Sequence, residues 1–526
     1  MVQRPERRRA YLVGGGIASL AAAAYLIRDG GFDGRDVRVF ESLGVVGGSM
    51  DGSGTPEEGY LIRGGRMFNC SYVCTYDLLS FIPSLSDRSR SVRDEFIAFN
   101  AQVKTHAKAR LVEKGKIRDS SSMGFRMKDR FDLLSIMSRS ERSLGALRID
   151  ECFRPSFFKS NFWLMWATMF AFQPWHGAVE FKRYLHRFLH EFPRFNTLAG
   201  VDRSPYNQYE SVILTTETWL RNQGVEFETN AEVVGLDFKP AEVDTTEERL
   251  RYLKNGVEEA VAVEKTDLVF VTNGSMTAAS RVGTHTTAAR LESTKSGDWK
   301  LWESLARDRP EFGRPTVFDD HVDESKWESF TVTCRDPLLF HRIEEFTGNK
   351  PGTGALVTII DSNWLTSIVV AHQPHFLNQP ADIQVFWGYG LFVDRVGNFV
   401  KKPMAECTGE EILSELCSHL GFTEDLPRIL ASCRCVPCMM PHVTSQFLVR
   451  DRGDRPEVVP RNSTNLAFIG QFVELPHDVV FTVEYSVRAA MTAVYTLLNL
   501  EKAPPPVYRG KIDPLVIWAQ LRSLFS

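Results

Sequence analysis

Apolar positions along this chain fall into short runs, several of which close on glycine. Residues 10–13 (Ala-Tyr-Leu-Val) read as a buried strand that runs into Gly14-Gly15-Gly16. An alanine-rich helix follows, and a second apolar strand, residues 37–41, ends on Glu41. The pattern returns at residues 267–274 (DLVFVTNG) and 465–471 (NLAFIGQ), the second leading into a helix with the apolar run MTAVYTLLNL. Between these, residues 150–195 are densely aromatic, and residues 176–192 carry helical periodicity with Pro174 near the start. A loop, a helix beginning near Gln208 and a strand are expected over residues 200–238. Residues 290–435 hold many tryptophans and prolines in short mixed elements.

Strand, glycine turn, helix, strand, acid is the layout of a dinucleotide-binding unit. Gly14 permits the tight turn, Gly16 lets the backbone approach a pyrophosphate, and the helix start offers unpaired N–H groups to it. Ser19 stands where the fingerprint has a third glycine and is small enough for close packing; Ala18 lies beside it. Glu41, 25 residues after Gly16, is placed to accept hydrogen bonds from a ribose diol. A second turn, Gly47-Gly48-Ser49, agrees, and the expected cofactor is FAD. A further turn at Gly64-Gly65, flanked by Arg63 and Arg66, suits the isoalloxazine ring or the phosphates; the bland alternative for both arginines is a surface ion pair. The late elements add Asn273, Gly470 and Glu484 as cofactor contacts.

The expected fold class is therefore α/β. A discontinuous Rossmann-like FAD-binding domain (residues 1–110, 206–290 and 436–500) carries an inserted aromatic helical substrate lobe (111–205) and a lid or substrate lobe (291–435), with a short helical C-terminus (501–526). A chain of 526 residues is too long for one core, and a net charge of −4 gives no general reason to bind nucleic acid. Nine cysteines, an odd number without paired spacing, fit a reducing cytoplasmic compartment. Cys433, Cys435 and Cys438, with His442 close behind, match no zinc or iron–sulfur spacing, and no metal is expected. The basic start followed by apolar residues 10–27 imitates a secretory signal, but cleavage would part the phosphate turn from Glu41, so the signal is rejected. That run only just reaches the ~18 residues of a membrane span, and three glycines and Ser19 dilute it.

Longer motifs then converge. GGGIASLAAAAYLIRDG, MFAFQPWH, YNQYES, DLVFVTNGS, NLAFIGQF and FTVEYSVR together resemble the oleate hydratases, FAD-dependent bacterial fatty acid hydratases once labelled myosin-cross-reactive antigens. The likeness runs from about residue 10 to about 515. It implies addition of water across the cis-9 double bond of oleic acid to give 10-hydroxystearic acid. This is a hydro-lyase reaction in which FAD has a non-redox role and is more active when reduced. It implies that Tyr184 donates the proton, since a tyrosine with a pKa near ~10 stays protonated at neutral pH; read alone, Tyr184 is an interface residue of an amphipathic helix.

The chain departs from the family at the water-activating glutamate, whose place is taken by Met67; two further acids of that loop fall on Asn69 and Val73. A thioether takes no proton. Three readings stay open: water held by Asn69 and backbone carbonyls, which is preferred; an acid reaching in from another loop; or slowed or redirected chemistry. The resemblance also implies that Gln208, Thr444 and Gln446 anchor the substrate carboxylate with His442 assisting, and that Phe162, Trp163, Met169, Phe170, Phe172 and Trp175 line the acyl tunnel. Many members carry an N-terminal extension and a longer basic tail. The first strand at Ala10 and the end at Ser526 point to a monomer, with at most peripheral membrane contact, that takes fatty acid released from membranes. The alternatives are a fatty acid double-bond isomerase, a redox flavoenzyme such as an amine oxidase or desaturase, and a non-catalytic lipid- or flavin-binding protein.

Overall fold

Five parallel strands set the frame, in the order Leu466–Ile469, Leu268–Thr272, Ala10–Val13, Val37–Glu41, Glu226–Thr229. The first strand of the chain is central and the winding reverses on either side of it, as in a dinucleotide-binding half. The inner strands are buried on both faces, which is why they read as unbroken apolar runs rather than alternating ones. The computed structural model describes residues 8–239, 247–292, 294–354 and 356–508.

The helix Ile17–Arg28 follows the glycine turn and packs along the late helix Val483–Leu497. Ala21, Ala22, Ala23 and Ala24 are all fully buried, and their small side chains let the two helices approach closely. A three-stranded antiparallel sheet (Ala231–Phe238, Glu247–Lys254, Val257–Ala262) extends from the nucleotide sheet.

An eight-stranded mixed sheet forms the second layer system. Its interior strand Trp327–Cys334 is buried at every position and pairs with both Cys433–Met440 and Gln384–Gly390. At its other end Leu111–Glu113 and Lys116–Arg118 complete the sheet, so residues far apart in the chain share one surface. Cys433 and Cys435 face the core of this lobe and Cys438 faces the main core; all nine cysteines are free thiols.

A small hairpin, Gly52–Thr55 with Gly59–Ile62, joins the two systems. The Tyr60 N–H donates to Thr333 Oγ1 (2.8 Å) and the Ile62 N–H to Thr331 Oγ1 (3.1 Å). These threonines lie two apart on one face of their strand, so side chains do for the hairpin what a neighbouring strand would do.

The aromatic segment folds as helices Asn161–Phe170 and Ala178–Arg187, the second followed by a tight turn, Leu189–Arg194. That helix ends at Arg187, short of residue 192, and the turn after it contains Pro193. Residues 501–508 form no helix, and the helix expected beyond them lies outside the described residues, as do residues 1–7 of the basic start. No described helix is long and apolar enough to cross a membrane.

Candidate functional site

At the carboxyl ends of the parallel strands a cleft of about 540 Å³ opens in front of the glycine turn. Glu41 closes the turn: its carboxylate accepts the N–H groups of Gly15 (2.7 Å) and Leu43 (2.8 Å) and the Ser42 hydroxyl (3.1 Å). Gly14 has φ +90°, and a Cβ on Gly15 would lie 2.9 Å from both Glu41 Oε2 and Val46. Gly16 differs. Its φ of −78° suits any residue, and a Cβ there would meet no atom of the protein within 4 Å. It would instead project into the cleft at the helix N-terminus, where a pyrophosphate fits.

The second glycine turn stacks on the first, backbone against backbone, with the Gly47 N–H donating to the Gly15 carbonyl (2.9 Å). Ala18, Gly48, Ser49 and Arg63 line the cleft, and Gly470 (φ +98°) forms its opposite wall. Arg63 is held by a bidentate pair to Asp51 (2.7 and 3.0 Å). Ser19 lies beneath the turn, 3.3 Å from Thr272 Oγ1. Asn273 is buried with Oδ1 lacking a partner. Glu484 sits away from the cleft, accepting the N–H groups of Cys74 (3.1 Å) and Thr75 (2.8 Å) and pairing with Arg488 (2.9 Å). The sequence gives no hint of Asp298, which lines the cleft at the start of the helix Gly297–Ala306; burial pushes its carboxyl up to about 6.

A second cavity of about 100 Å³ lies beyond Gly64, Gly65 and Arg66, walled mainly by apolar side chains including Met169, Phe170, Phe188, Leu198 and Trp387. Tyr184 is fully buried at its wall, with Phe170 and Phe172 edge-on at 4.9 and 5.0 Å and its hydroxyl donating to the Val480 carbonyl (2.5 Å). Burial raises the phenol well above its ordinary pKa, so it carries its proton at neutral pH. Arg66 is half-buried and has no carboxylate partner among the described residues. Its Nη2 donates to the Ser49 carbonyl (3.2 Å), its guanidinium lies 5.6 Å from the Phe481 ring, and burial lowers it to about 10.

Met67 and Asn69 also line this cavity, but Asn69 is engaged. Its Nδ2 donates to Glu191 Oε1 (2.9 Å) and the Gly200 carbonyl (3.1 Å), and its Oδ1 accepts the Ser71 N–H (3.0 Å). Glu191 is the single carboxylate among the described residues that line the cavity. Burial pushes it up, but His190, Arg194 and Asn69 outweigh that and hold it at about 2.

The residues implied to hold the substrate lie apart. Gln208 borders a small cavity behind the Gly64 turn and donates to the Gly64 carbonyl (2.8 Å). The Thr444 hydroxyl donates to the Ser325 carbonyl (2.9 Å) beside a separate cavity that Trp175 also lines. Gln446 is buried on the Val443 carbonyl (3.1 Å), and His442 lies 5.2 Å from the Trp299 ring, lowered to about 4 by burial. Phe162, Trp163 and Phe172 belong to the packed aromatic core.

A parallel nucleotide sheet, stacked glycine turns and an acid at the second strand define a protein with a Rossmann-like FAD-binding fold, here joined to an apolar cavity with a buried phenol. Among solved structures, cyclohexylamine oxidase from Brevibacterium oxydans superposes with a TM-score of 0.54 at 11% identity, covering 94% of this chain and 100% of that one. The chain belongs to the MCRA family, whose model matches residues 7–495. It is 39% identical over 519 residues to an oleate hydratase of Streptococcus pyogenes, covering 97% of this chain and 88% of that protein. It is 34% identical over 570 aligned positions to a linoleate hydratase of Lactiplantibacillus plantarum, covering 99% of each.

Proposed function

We propose that this protein is a fatty acid hydratase that adds water across the cis-9 double bond of oleic acid and related unsaturated acids, forming 10-hydroxystearic acid from oleate. The observation that carries this is a fully buried phenol, Tyr184, at the wall of an apolar cavity next to the dinucleotide cleft. FAD suits the cleft because Gly16 leaves open space at a helix N-terminus and Glu41 stands at the ribose position. The backbone of residues 14–16 and 48–49 would hold the phosphates, with Arg63, Gly64, Gly65 and Arg66 alongside the ring. Bound FAD would supply a planar, polarisable surface that stabilises positive charge developing on the substrate.

In this reading Tyr184 gives its hydroxyl proton to one alkene carbon while the oxygen of a held water bonds to the other. The water then loses a proton and the phenolate regains one, so substrate plus water equals product without oxidation. The acceptor that orients the water is Glu191, a carboxylate at neutral pH. Asn69 is committed to Glu191, Gly200 and Ser71, so it acts by fixing the carboxylate rather than by holding water itself. This favours an acid from another loop as the replacement for the missing glutamate. Nine free thiols support a cytoplasmic setting.

The test is incubation with oleic acid and reduced FAD in H₂¹⁸O, followed by mass spectrometry of the lipid. A labelled 10-hydroxy acid is expected, with Tyr184→Phe lowering its rate at least ~10²-fold. Recovery of unchanged or isomerised acid by flavin-loaded protein would reject hydration.

A further inference from the structure

The strand Trp327–Cys334 ends on a cysteine and the strand Cys433–Met440 begins on one, and their antiparallel register sets the two directly opposite. Opposed residues in such a pair alternate between rungs that exchange backbone hydrogen bonds and rungs that do not. The parity is fixed three ways. The Arg335 N–H donates to the Ser432 carbonyl (3.1 Å) one step beyond the cysteines, the bond that brackets a non-hydrogen-bonded rung. Pro437, which has no N–H to give, sits opposite Phe330, an even number of rungs away. The Cys435 N–H, two residues along, turns away from the strand Trp327–Cys334 to His285 Nδ1 (3.3 Å). Cys334 and Cys433 therefore meet across the rung type whose α-carbons lie closest, about 4.5 Å apart, inside the range a disulfide spans.

Both thiols are free, buried and turned into the core of this lobe. Cys435 faces the same core but stands diagonally to Cys334, at a separation of roughly 7–8 Å that a disulfide does not bridge. Hydrogen bonding between the facing thiols lowers Cys433 from the ordinary value and raises Cys334, so the thiolate forms on Cys433. Their rung is the last of the strand pair. Arg335 beyond it is exposed and Ser432 half-buried, and the end of a ladder opens more readily than its middle, which gives a small oxidant a way in.

We propose that Cys334 and Cys433 are an oxidisable pair that closes into a cross-strand disulfide when the protein meets hydrogen peroxide. The Cys433 sulfur attacks the peroxide, so an S–O bond forms, the O–O bond breaks and one water leaves. The Cys334 sulfur then attacks the Cys433 sulfur. The S–S bond forms, the S–O bond breaks, and a second water leaves with the Cys334 proton. Two thiols lose two electrons in all, and one hydrogen peroxide becomes two waters. A small dithiol reverses the change by exchange. The cross-link would pin the surface on which the hairpin Gly52–Thr55 with Gly59–Ile62 rests. Thr331 and Thr333 of the same strand hold that hairpin, and Arg335 Nη2 donates to the Glu57 carbonyl (2.6 Å) in its turn.

The test treats the folded, FAD-loaded protein, with its exposed thiol removed by Cys70→Ser, with hydrogen peroxide. Remaining thiols are then blocked and the peptides mapped by mass spectrometry. The expected result is the loss of two thiols per chain into one peptide pair joining residues 334 and 433, with both thiols restored by dithiothreitol. The oxidised protein is expected to melt at a higher temperature than the reduced one, since the link constrains the unfolded chain. Adding Cys334→Ser is expected to abolish both the linked pair and the shift in melting, whereas Cys435→Ser keeps both. Recovery of Cys334 and Cys433 unlinked, or linked to other cysteines, would overturn the pair, as would a link that forms only after unfolding in urea. If Cys334→Ser fails to fold, the peptide map of the parent protein decides.

Discussion

At the scale of single residues the chemistry turns on pairs of groups that the surroundings push apart. Burial keeps Tyr184 protonated, while His190, Arg194 and Asn69 keep Glu191 ionised although it is mostly buried. In the proposed reaction one therefore gives a proton while the other accepts a hydrogen bond at the same pH. Glu191→Gln is expected to lower kcat ~10-fold or more while leaving FAD loading and KM for oleate unchanged, as steady-state kinetics would show. The glycine turns were legible because motifs mark them, whereas the role proposed for Tyr184 came only with the family resemblance. Glu191 was not legible. It lies beside a recognisable segment, but its surroundings come from what faces it, and the pairing of Phe68 with Asp202 that brings these segments together has no sequence signal.

At the scale of elements the hairpin Gly52–Thr55 with Gly59–Ile62 matters most, since its second strand runs directly into Arg63–Asn69. Its outer backbone is held by Thr331 and Thr333 of the eight-stranded sheet. Thr331→Val keeps shape but leaves the buried Ile62 N–H without a partner, which costs about 1–3 kcal/mol. We expect a lower melting temperature and a raised KM for oleate, because the displaced loop borders the Tyr184 cavity and the small cavity behind the Gly64 turn. The nucleotide strands were readable as elements because burial on both faces makes them uniformly apolar. The aromatic stretch was readable only as dense core. Which of its side chains meet the cavity depends on how the helices Asn161–Phe170 and Ala178–Arg187 are rotated, so Met169 and Phe170 line it while Phe162 and Trp163 do not.

At the scale of the whole molecule, ion networks join segments distant in sequence. Glu474 pairs with Arg183 (2.9 Å) and Arg450 (2.8 Å); burial would raise it, but these arginines hold it at about 2 against an ordinary 4.5. Glu191 behaves alike. A depressed carboxylate contributes stability in full above its unfolded pKa and loses it as pH falls toward the folded value. Denaturant midpoints should therefore hold near pH 6 and drop between pH 4.5 and pH 2, and Glu474→Gln should flatten part of that drop. The strand order carries one more consequence. Gly14 and Gly16 come from the first strand–helix junction, whereas Gly470 and Ser486 of the same cleft come from near the other end of the chain. During synthesis the central strand waits, its neighbour Leu268–Thr272 exposing an unpaired edge until Leu466–Ile469 is made. Cofactor capture is thus a late event in the life of each molecule, and a nascent chain stalled before residue 470 would present a sticky sheet edge and half a nucleotide site.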